Sequence, residues 1–302
     1  MQHIGDLSEI LETTEPTKVA SGFIFTEGPL WHPDDFWYFV DIRQNKLLRL
    51  VIGSDPELVR ETKGGNGNTF DLEGRLINCE GLARRVTRTN QDGSVETIAS
   101  AFQGGRLARP NDAICHSNGD IYFTDPDQRV AFHEREIPGR DGIDGKWIGS
   151  GVYRLSADGE LSLVVQCEYP NGLAFSPDEK RLYVANTRTC KFIHAIDMDG
   201  DGNMIRRSIF ADMNEGDEPG IPDGLKVDSL GRVYCTGPGG IWVFEPDGSR
   251  IGVIRWPEQA VNFAFGGANQ QTLLCCAHTG VYTLRVKTPG NPHPWYKLYP
   301  GN

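Results

Sequence analysis

The chain alternates short apolar runs with polar turns along almost its whole length. From Thr17 to Arg285 no helical period is long enough to interrupt this pattern, so we predict strands and not helices. One unit occurs six times: a turn rich in Asp, Gly, Asn or Pro, followed by a short apolar strand. The six strand cores are Trp37–Ile42, Leu76–Gly81, Ile121–Pro126, Leu182–Thr187, Val233–Pro238 and Leu273–His278.

The spacing of these units indicates the architecture. Successive strand cores start 39, 45, 61, 51 and 40 residues apart. Repeats of roughly 40–50 residues built from short strands are typical of propeller blades with four strands each. Six repeats therefore predict an all-β, six-bladed β-propeller. A solenoid is the alternative fold, but the irregular spacing favours a closed ring.

The sequence shows no change of composition that would mark a domain boundary. We therefore expect residues 1–302 to form a single propeller domain. Residues 1–16 precede the first strand signal and are expected to form an N-terminal extension. The segment 127–149 is rich in Gly, Arg and Asp, and we expect it to form a long loop over the channel face.

A second register lies ten or eleven residues before each strand core. Every one of these six positions holds an acidic or amide residue, and in four of them Gly follows directly, as expected where the backbone turns sharply into a strand. Equivalent points of a propeller lie on a ring, so six oxygen-bearing side chains should converge at the mouth of the central channel. These residues are Glu27, Asn66, Asn111, Asn171, Asp223 and Asn262.

The chemistry of this ring predicts a metal site at the channel mouth. Two carboxylates and several amide oxygens, without thiol or imidazole, are the ligands that a hard cation prefers. Calcium fits best, because it accepts six to eight oxygen ligands in a flexible shell. Zinc, manganese and magnesium stay open as alternatives. Asn and Asp also cap loops before strands for purely structural reasons, but six aligned positions favour the metal site.

Composition and charge exclude several classes of function. The net charge of -11 and the lack of a basic stripe argue against a nucleic-acid partner. No apolar stretch reaches the roughly 20 residues that a membrane span needs. The seven cysteines form no CxxC pair and the N-terminal residues lack the apolar core of a secretory signal. We therefore expect free thiols and a cytoplasmic location, and the oligomeric state is left open.

The chain resembles the senescence-marker-protein/gluconolactonase/luciferin-regenerating-enzyme family of six-bladed propellers, from Ala20 to about Leu284. The matching strings are TEGPLW, RVTR, RPNDAI, YFTDP, PNGLAFSPDEKRLYVANT and IPDGLKVDSLGRVY. The resemblance implies metal ligands at Glu27, Asn111, Asn171 and Asp223. It also implies a catalytic role for Asp223 and substrate contact by Arg109.

The same resemblance implies a metal-dependent hydrolase of a small sugar lactone. A phosphotriesterase or other small-ester hydrolase on the same metal is one alternative, and a non-catalytic calcium-binding or interaction propeller is another. Further candidates for substrate contact are Asn111, Asn66, Glu80 and Asn262. Bacterial gluconolactonase-like members tend to carry a His where this chain has Gly81, so the identity of the lactone stays open.

Overall fold

Six antiparallel sheets of four or more strands form the six blades predicted from the repeat. The computed structural model describes residues 2–127, 149–188, 190–215 and 217–299. In each blade consecutive hairpins lead outward from an innermost strand. The all-β, six-bladed propeller is therefore confirmed. Of the predicted loop 127–149, residues 128–148 lie outside the described residues.

The first three blades follow one another along the chain, and a short hairpin separates the second from the third. Blade 1 consists of β3 (Thr26–His32), β4 (Phe36–Asp41), β5 (Lys46–Leu50) and β6 (Glu57–Glu61). Blade 2 consists of β7 (Gly65–Phe70), β8 (Leu76–Glu80), β9 (Arg85–Thr89) and β10 (Val95–Ala99). The hairpin is β11 (Ala101–Phe102) and β12 (Gly105–Arg106), and blade 3 is β13 (Ala113–Cys115), β14 (Ile121–Asp125), β15 (Gly151–Leu155) and β16 (Leu161–Gln166).

The last three blades complete the ring, and two of them take a strand from the N-terminal segment. Blade 4 consists of β17 (Pro170–Phe175), β18 (Arg181–Asn186), β19 (Phe192–Met198) and β20 (Met204–Asp212). Blade 5 consists of β21 (Leu225–Val227), β22 (Val233–Gly237), β23 (Gly240–Phe244) and β24 (Arg250–Ile254), with β1 (Ile4–Gly5) at its edge. Blade 6 consists of β25 (Asn262–Gly266), β26 (Thr272–Ala277), β27 (Gly280–Arg285) and β2 (Thr17–Ser21).

The six predicted strand cores are the second strands of the six blades. Each agrees with the observed strand to within one residue at either end. The agreement follows from the alternation of the repeat, since a shift of one residue would turn every buried side chain to the other face of the sheet. The turn before each core joins it to the innermost strand.

The hydrophobic core lies between neighbouring blades. Five clusters of buried side chains fill these spaces; four of them join residues of two adjacent sheets, and one joins residues of blades 6, 1 and 2. Trp37 and Phe39 pack between blades 6 and 1, for example, and Tyr122 and Val184 between blades 3 and 4. Blades therefore stabilise one another in pairs around the ring, because a single four-stranded sheet cannot bury both of its faces alone.

Strand β2 closes the ring by pairing with β27 in blade 6, and Thr26 at the start of blade 1 follows directly. The predicted N-terminal extension, residues 1–16, continues this attachment: β1 pairs with β24, and Leu7 and Ile10 are buried between blades 5 and 6. In the described ranges no helix has the length and apolarity to cross a membrane. All seven cysteines are free thiols.

Candidate active site

The six predicted ring residues stand at the start of the six innermost strands. Asn262 is the first residue of β25, and Asn111 and Asp223 come two residues before β13 and β21. Glu27, Asn66 and Asn171 are each the second residue of their strands. The fold therefore brings these positions to the same end of the central channel.

Close approach of neighbouring blades explains the glycines that follow the ring residues. A Cβ on Gly28, Gly172 or Gly224 would lie 2.1 or 2.2 Å from an atom of the ring residue in the next blade. A Cβ on Gly67 would lie 2.3 Å from Oδ1 of Asp112 and 2.8 Å from the carbonyl oxygen of Asn111. The sequence interpretation of these glycines as turn residues holds for Gly28, whose φ is +56°, and is wrong for the other three. Glycine is required there because strand backbones touch.

A repeated backbone contact holds the segments that lead into three ring residues. The fifth residue of the strand core accepts hydrogen bonds from main-chain N–H groups just before the ring position in blades 1, 3 and 4. Asp41 binds the N–H of Ile24 at 2.8 Å, Asp125 binds that of Ala108 at 2.7 Å and that of Arg109, and Asn186 binds that of Tyr169 at 2.9 Å. We call Asp41, Asp125 and Asn186 the clamp residues. Sequence reasoning missed them, although the repeat register locates them.

Glu27 is held firmly in the channel mouth. Its Oε2 accepts hydrogen bonds from the backbone N–H of Gly28 and from Nδ2 of Asn262, the latter at 2.8 Å. The second bond joins the ring residues of blades 1 and 6. Burial, together with the carboxylate of Asp112, raises the pKa of Glu27 above its usual value. Burial and the neighbouring carboxylate thus both disfavour the charged form of Glu27.

Asn171 and Asp223, the ring residues of blades 4 and 5, are joined through the backbone, since the N–H of Gly172 donates to the carbonyl of Asp223 at 3.0 Å. Nδ2 of Asn171 also donates to Oγ1 of Thr187 at 2.9 Å, and that hydroxyl donates to the carbonyl of Pro222 at 2.7 Å. Oδ1 of Asp223 is buried and has no hydrogen-bond partner among the described residues. Burial, and then the charge of Glu27, raises the pKa of Asp223 well above its usual value. The negative charge of Glu27 therefore disfavours ionisation of Asp223.

The two remaining amides of the ring are available to a ligand. Oδ1 of Asn66 is buried without a hydrogen-bond partner in the described ranges. Asn111 is fixed through its backbone, since its N–H donates to Thr124 at 2.9 Å and its carbonyl accepts from Gly67 at 2.7 Å. Its half-buried side chain makes no hydrogen bond to the described part of the chain. Both amides are consistent with a role in binding.

Arg109 and Glu80 differ in whether their side chains are already engaged by other residues of the protein. The guanidinium of Arg109 is half-buried and has no hydrogen bond or ion pair to the described residues, while its backbone is clamped by Asp125. Glu80 is buried between Arg60 and Arg85, with N–O distances of 2.8 and 2.7 Å. Burial alone would raise the pKa of Glu80, but the two guanidiniums outweigh it and hold the pKa below its usual value. Glu80 thus belongs to an internal ion network of blades 1 and 2.

The ring fits a divalent cation that is held by oxygen atoms. Glu27 and Asp223 supply two buried carboxylates, and the free oxygens of Asp223 and Asn66 have no other partner in the described ranges. Burying two like charges side by side is costly without a counter-ion. Among the described residues no three His, Cys, Asp or Glu side chains group together as metal ligands. A metal here would therefore depend on the amides of Asn111 and Asn171 as much as on the carboxylates.

Comparisons with known proteins identify the family of the chain. Residues 25–279 match the family described as SMP-30/Gluconolactonase/LRE-like region. A gluconolactonase from Zymomonas mobilis is 29% identical over 94% of this chain and 85% of its own length. A 6-deoxy-6-sulfogluconolactonase from Pseudomonas putida is 33% identical over 90% of this chain and 95% of its own. The solved structure of a gluconolactonase from Xanthomonas campestris superposes with a TM-score of 0.83, at 31% identity and 95% coverage of both chains.

Proposed function

The chain belongs to the SMP-30/Gluconolactonase/LRE-like family, and on that premise we propose that it is a metal-dependent hydrolase of a small sugar lactone, of the aldonolactone class. The observation that carries the proposal is the pairing of two buried carboxylates at the channel mouth, Glu27 and Asp223, with one oxygen of Asp223 left without a partner in the described ranges. A scaffold propeller has no need of such a pair. Relatives named as lactonases span most of this chain and support the reaction class.

Calcium is the cation that we propose, held by Glu27, Asn111, Asn171 and Asp223. All four offer oxygen atoms, and a shell of carboxylate and amide oxygens is the set that calcium prefers. A bound divalent cation supplies Lewis acidity, which polarises the carbonyl of the lactone. Zinc, manganese and magnesium are the alternatives to be compared in the assay.

Asp223 is the proposed general base. Its Oδ1 accepts a proton from the water that attacks the lactone carbonyl carbon, while the hydrogen bond from its backbone N–H to Oγ1 of Thr236, at 3.1 Å, fixes the position of the residue. The ring C–O bond then breaks, and the departing oxygen takes up a proton to become a hydroxyl. The product is an open-chain hydroxy acid that ionises at neutral pH, so each turnover releases one proton to the medium.

Arg109 is the proposed substrate-binding cation. Its guanidinium makes no hydrogen bond or ion pair to the described residues, and its planar fork donates parallel hydrogen bonds to paired oxygens. Sugar hydroxyls, or the oxyanion that develops on the carbonyl, are suitable acceptors. Asn66 and Asn262 are proposed as polar neighbours of the substrate, with Asn262 acting mainly through its bond to Glu27. Glu80 is the weakest of these candidates because both its oxygens are engaged by arginines.

The test is acid release from a panel of aldonolactones at constant pH. Metal-stripped protein is assayed with and without Ca²⁺, Zn²⁺, Mn²⁺ or Mg²⁺. Cation-dependent turnover of a sugar lactone is the expected result. If turnover is the same with chelator as with added cation, the proposed metal dependence is contradicted. Turnover confined to phosphotriesters or simple esters replaces the lactone with that substrate class, and tight metal binding without any turnover supports the binding propeller.

A variant separates the role of Asp223 as a base from its role as a ligand. Asp223→Asn keeps an oxygen for the cation but removes the proton acceptor, so kcat should fall by about 10²- to 10⁴-fold. Metal binding is measured in parallel by calorimetry. Full residual turnover with metal bound would remove Asp223 from the chemistry.

A further inference from the structure

An ion pair between a buried aspartate and a half-buried lysine lies in the central channel next to the ring. Asp112 follows the ring residue Asn111, and Lys226 comes three residues after Asp223. Both line a cavity of about 450 Å³ that takes wall residues from all six innermost strands. The C-terminal segment 291–298 covers the far end of this cavity. The pair therefore faces the ring on one side and the cavity on the other.

Asp112 is almost completely buried and only partly satisfied. Its Oδ1 accepts a hydrogen bond from the N–H of Ala113 at 2.9 Å. Its Oδ2 is buried and has no hydrogen-bond partner in the described ranges. The ammonium of Lys226 lies 3.7 Å from that oxygen and is anchored by a bond of 3.0 Å to the carbonyl of Leu225. At 3.7 Å the contact is an ion pair and not a hydrogen bond.

Lys226 lies beside Asp112 and close to both ring carboxylates: Asp223 is three residues away, and a Cβ on the intervening Gly224 would stand 2.2 Å from Oδ1 of Asn262, whose Nδ2 donates to Glu27. Burial raises the pKa of Asp112, Glu27 and Asp223, and in each of them the charge of Lys226 works in the opposite direction. Charges interact over several ångströms in such surroundings because little water is present to screen them. Lys226 is therefore a common counter-charge for the group and not only the partner of Asp112.

The charges of this group determine which cation it balances. When Asp112, Glu27 and Asp223 are all ionised, three carboxylates and one ammonium sum to a net charge of about -2, which one divalent cation balances. We propose that the Asp112–Lys226 pair sets the charge of the ring site and so selects divalent over trivalent cations. Asp112 and Lys226 are positioning residues in this proposal, since they do not touch the metal. The inference rests on the metal site proposed above.

The test is a double-mutant cycle on metal-stripped full-length protein at one fixed pH. Binding of Ca²⁺ and of La³⁺ is measured by calorimetry, so the result does not depend on catalytic activity. Lys226→Met leaves three carboxylates and should favour La³⁺ over Ca²⁺ by at least about tenfold relative to the original protein. Asp112→Asn removes one negative charge and should weaken Ca²⁺ binding by at least about tenfold.

The double variant separates charge from structure. Asp112→Asn combined with Lys226→Met restores the net charge, so both affinities should return to within about threefold of the original values. Lys180→Met, in an exposed turn of blade 4, is the matched control and should change neither affinity. Circular dichroism checks that each variant is folded.

Different results would contradict the metal site and the role of the Asp112–Lys226 pair. If the unmodified protein binds no divalent cation, the metal site itself is wrong, and this inference falls with it. If the protein binds Ca²⁺ but the two single variants leave the La³⁺ to Ca²⁺ preference unchanged, only the role of the pair is wrong. Losses that simply add in the double variant would show structural damage and would likewise overturn the role of the pair.

Discussion

The side chain of Arg109 lies directly against the backbone of Gly81. A Cβ on Gly81 would stand 2.9 Å from Cγ of Arg109 and 3.4 Å from its Nε. On its other side the backbone N–H of Arg109 is clamped by the carboxylate of Asp125. The position of the guanidinium therefore depends on the lack of a side chain at residue 81, so this departure from the family pattern bears on the proposed role of Arg109.

Gly81→Ala should weaken binding of the lactone and leave binding of the metal unchanged. The added methyl group displaces the stem of Arg109, so KM for the preferred lactone should rise by about tenfold, the loss of roughly one hydrogen bond to a charged group. The measurement is steady-state kinetics on the lactone panel, with Ca²⁺ affinity in parallel. Gly200→Ala is the control, because nothing lies within 4 Å of a Cβ there. An unchanged KM in Gly81→Ala contradicts the role of this contact.

Removing a clamp carboxylate should cost both stability and binding. Asp125→Ala leaves the buried N–H groups of Ala108 and Arg109 without their acceptor, and we expect a loss of about 1–3 kcal/mol in the free energy of unfolding. The value of kcat/KM should fall as well, because the segment leading to Asn111 loosens. Asp247→Ala removes an aspartate that accepts a backbone N–H in an exposed turn, and it should do neither. Denaturant titration and lactone kinetics measure the two effects.

Metal binding should stabilise the protein measurably. A cation that binds only the folded chain adds about 2.7 kcal/mol at a concentration of 100 times its Kd. Chelation should therefore lower the midpoint of thermal unfolding, and Ca²⁺ should restore it. In Glu27→Gln the restoring effect should shrink, since one of the two ring carboxylates is gone. Equal midpoints with chelator and with Ca²⁺ would count against a metal at the ring.

A buried histidine predicts a loss of stability in mild acid. Nε2 of His194 lies 2.9 Å from Nη2 of Arg207, which can only donate, so the imidazole accepts and is neutral. Burial, and then the charge of Arg207, lowers the pKa of His194 to about 4. The unfolded chain binds a proton below its ordinary pKa of about 6.5 while the folded chain does not, so stability is lost as the pH falls from there towards 4.

The expected contribution of His194 is at most about 1.4 kcal/mol per pH unit within that window. Denaturant titrations at a series of pH values measure it. His194→Gln should remove this part of the slope. His116→Gln, at a half-buried histidine in a turn of blade 3, is the control, and an identical slope in both variants would refute the assignment to His194.

The sequence predicted the parts of the structure that repeat. The second strand of each blade and the ring position before it recur six times, so each copy supports the others. The clamp residues also repeat, as Asp41, Asp125 and Asn186, and they were within reach of the same reasoning.

What the sequence could not predict depends on contacts between distant blades. Glu80 stands at the clamp position of blade 2, but Arg60 of blade 1 takes its carboxylate into an ion pair. Lys226 is one polar residue in a short strand, and only the assembled channel brings it to 3.7 Å from Asp112. The two-residue strand β1 is too short to leave a recognisable pattern.

The closure of the ring by β2 has a consequence for the order of events during synthesis. Every proposed metal ligand, from Glu27 to Asp223, has been translated before Asn262 and blade 6 exist. Glu27 nevertheless receives its hydrogen bond from Asn262, and β2, just before it, pairs with β27. Blade 1 can therefore complete its contacts only after blade 6 has been synthesised. Cation affinity should emerge only when the sixth blade is complete, long after the ligands themselves are made.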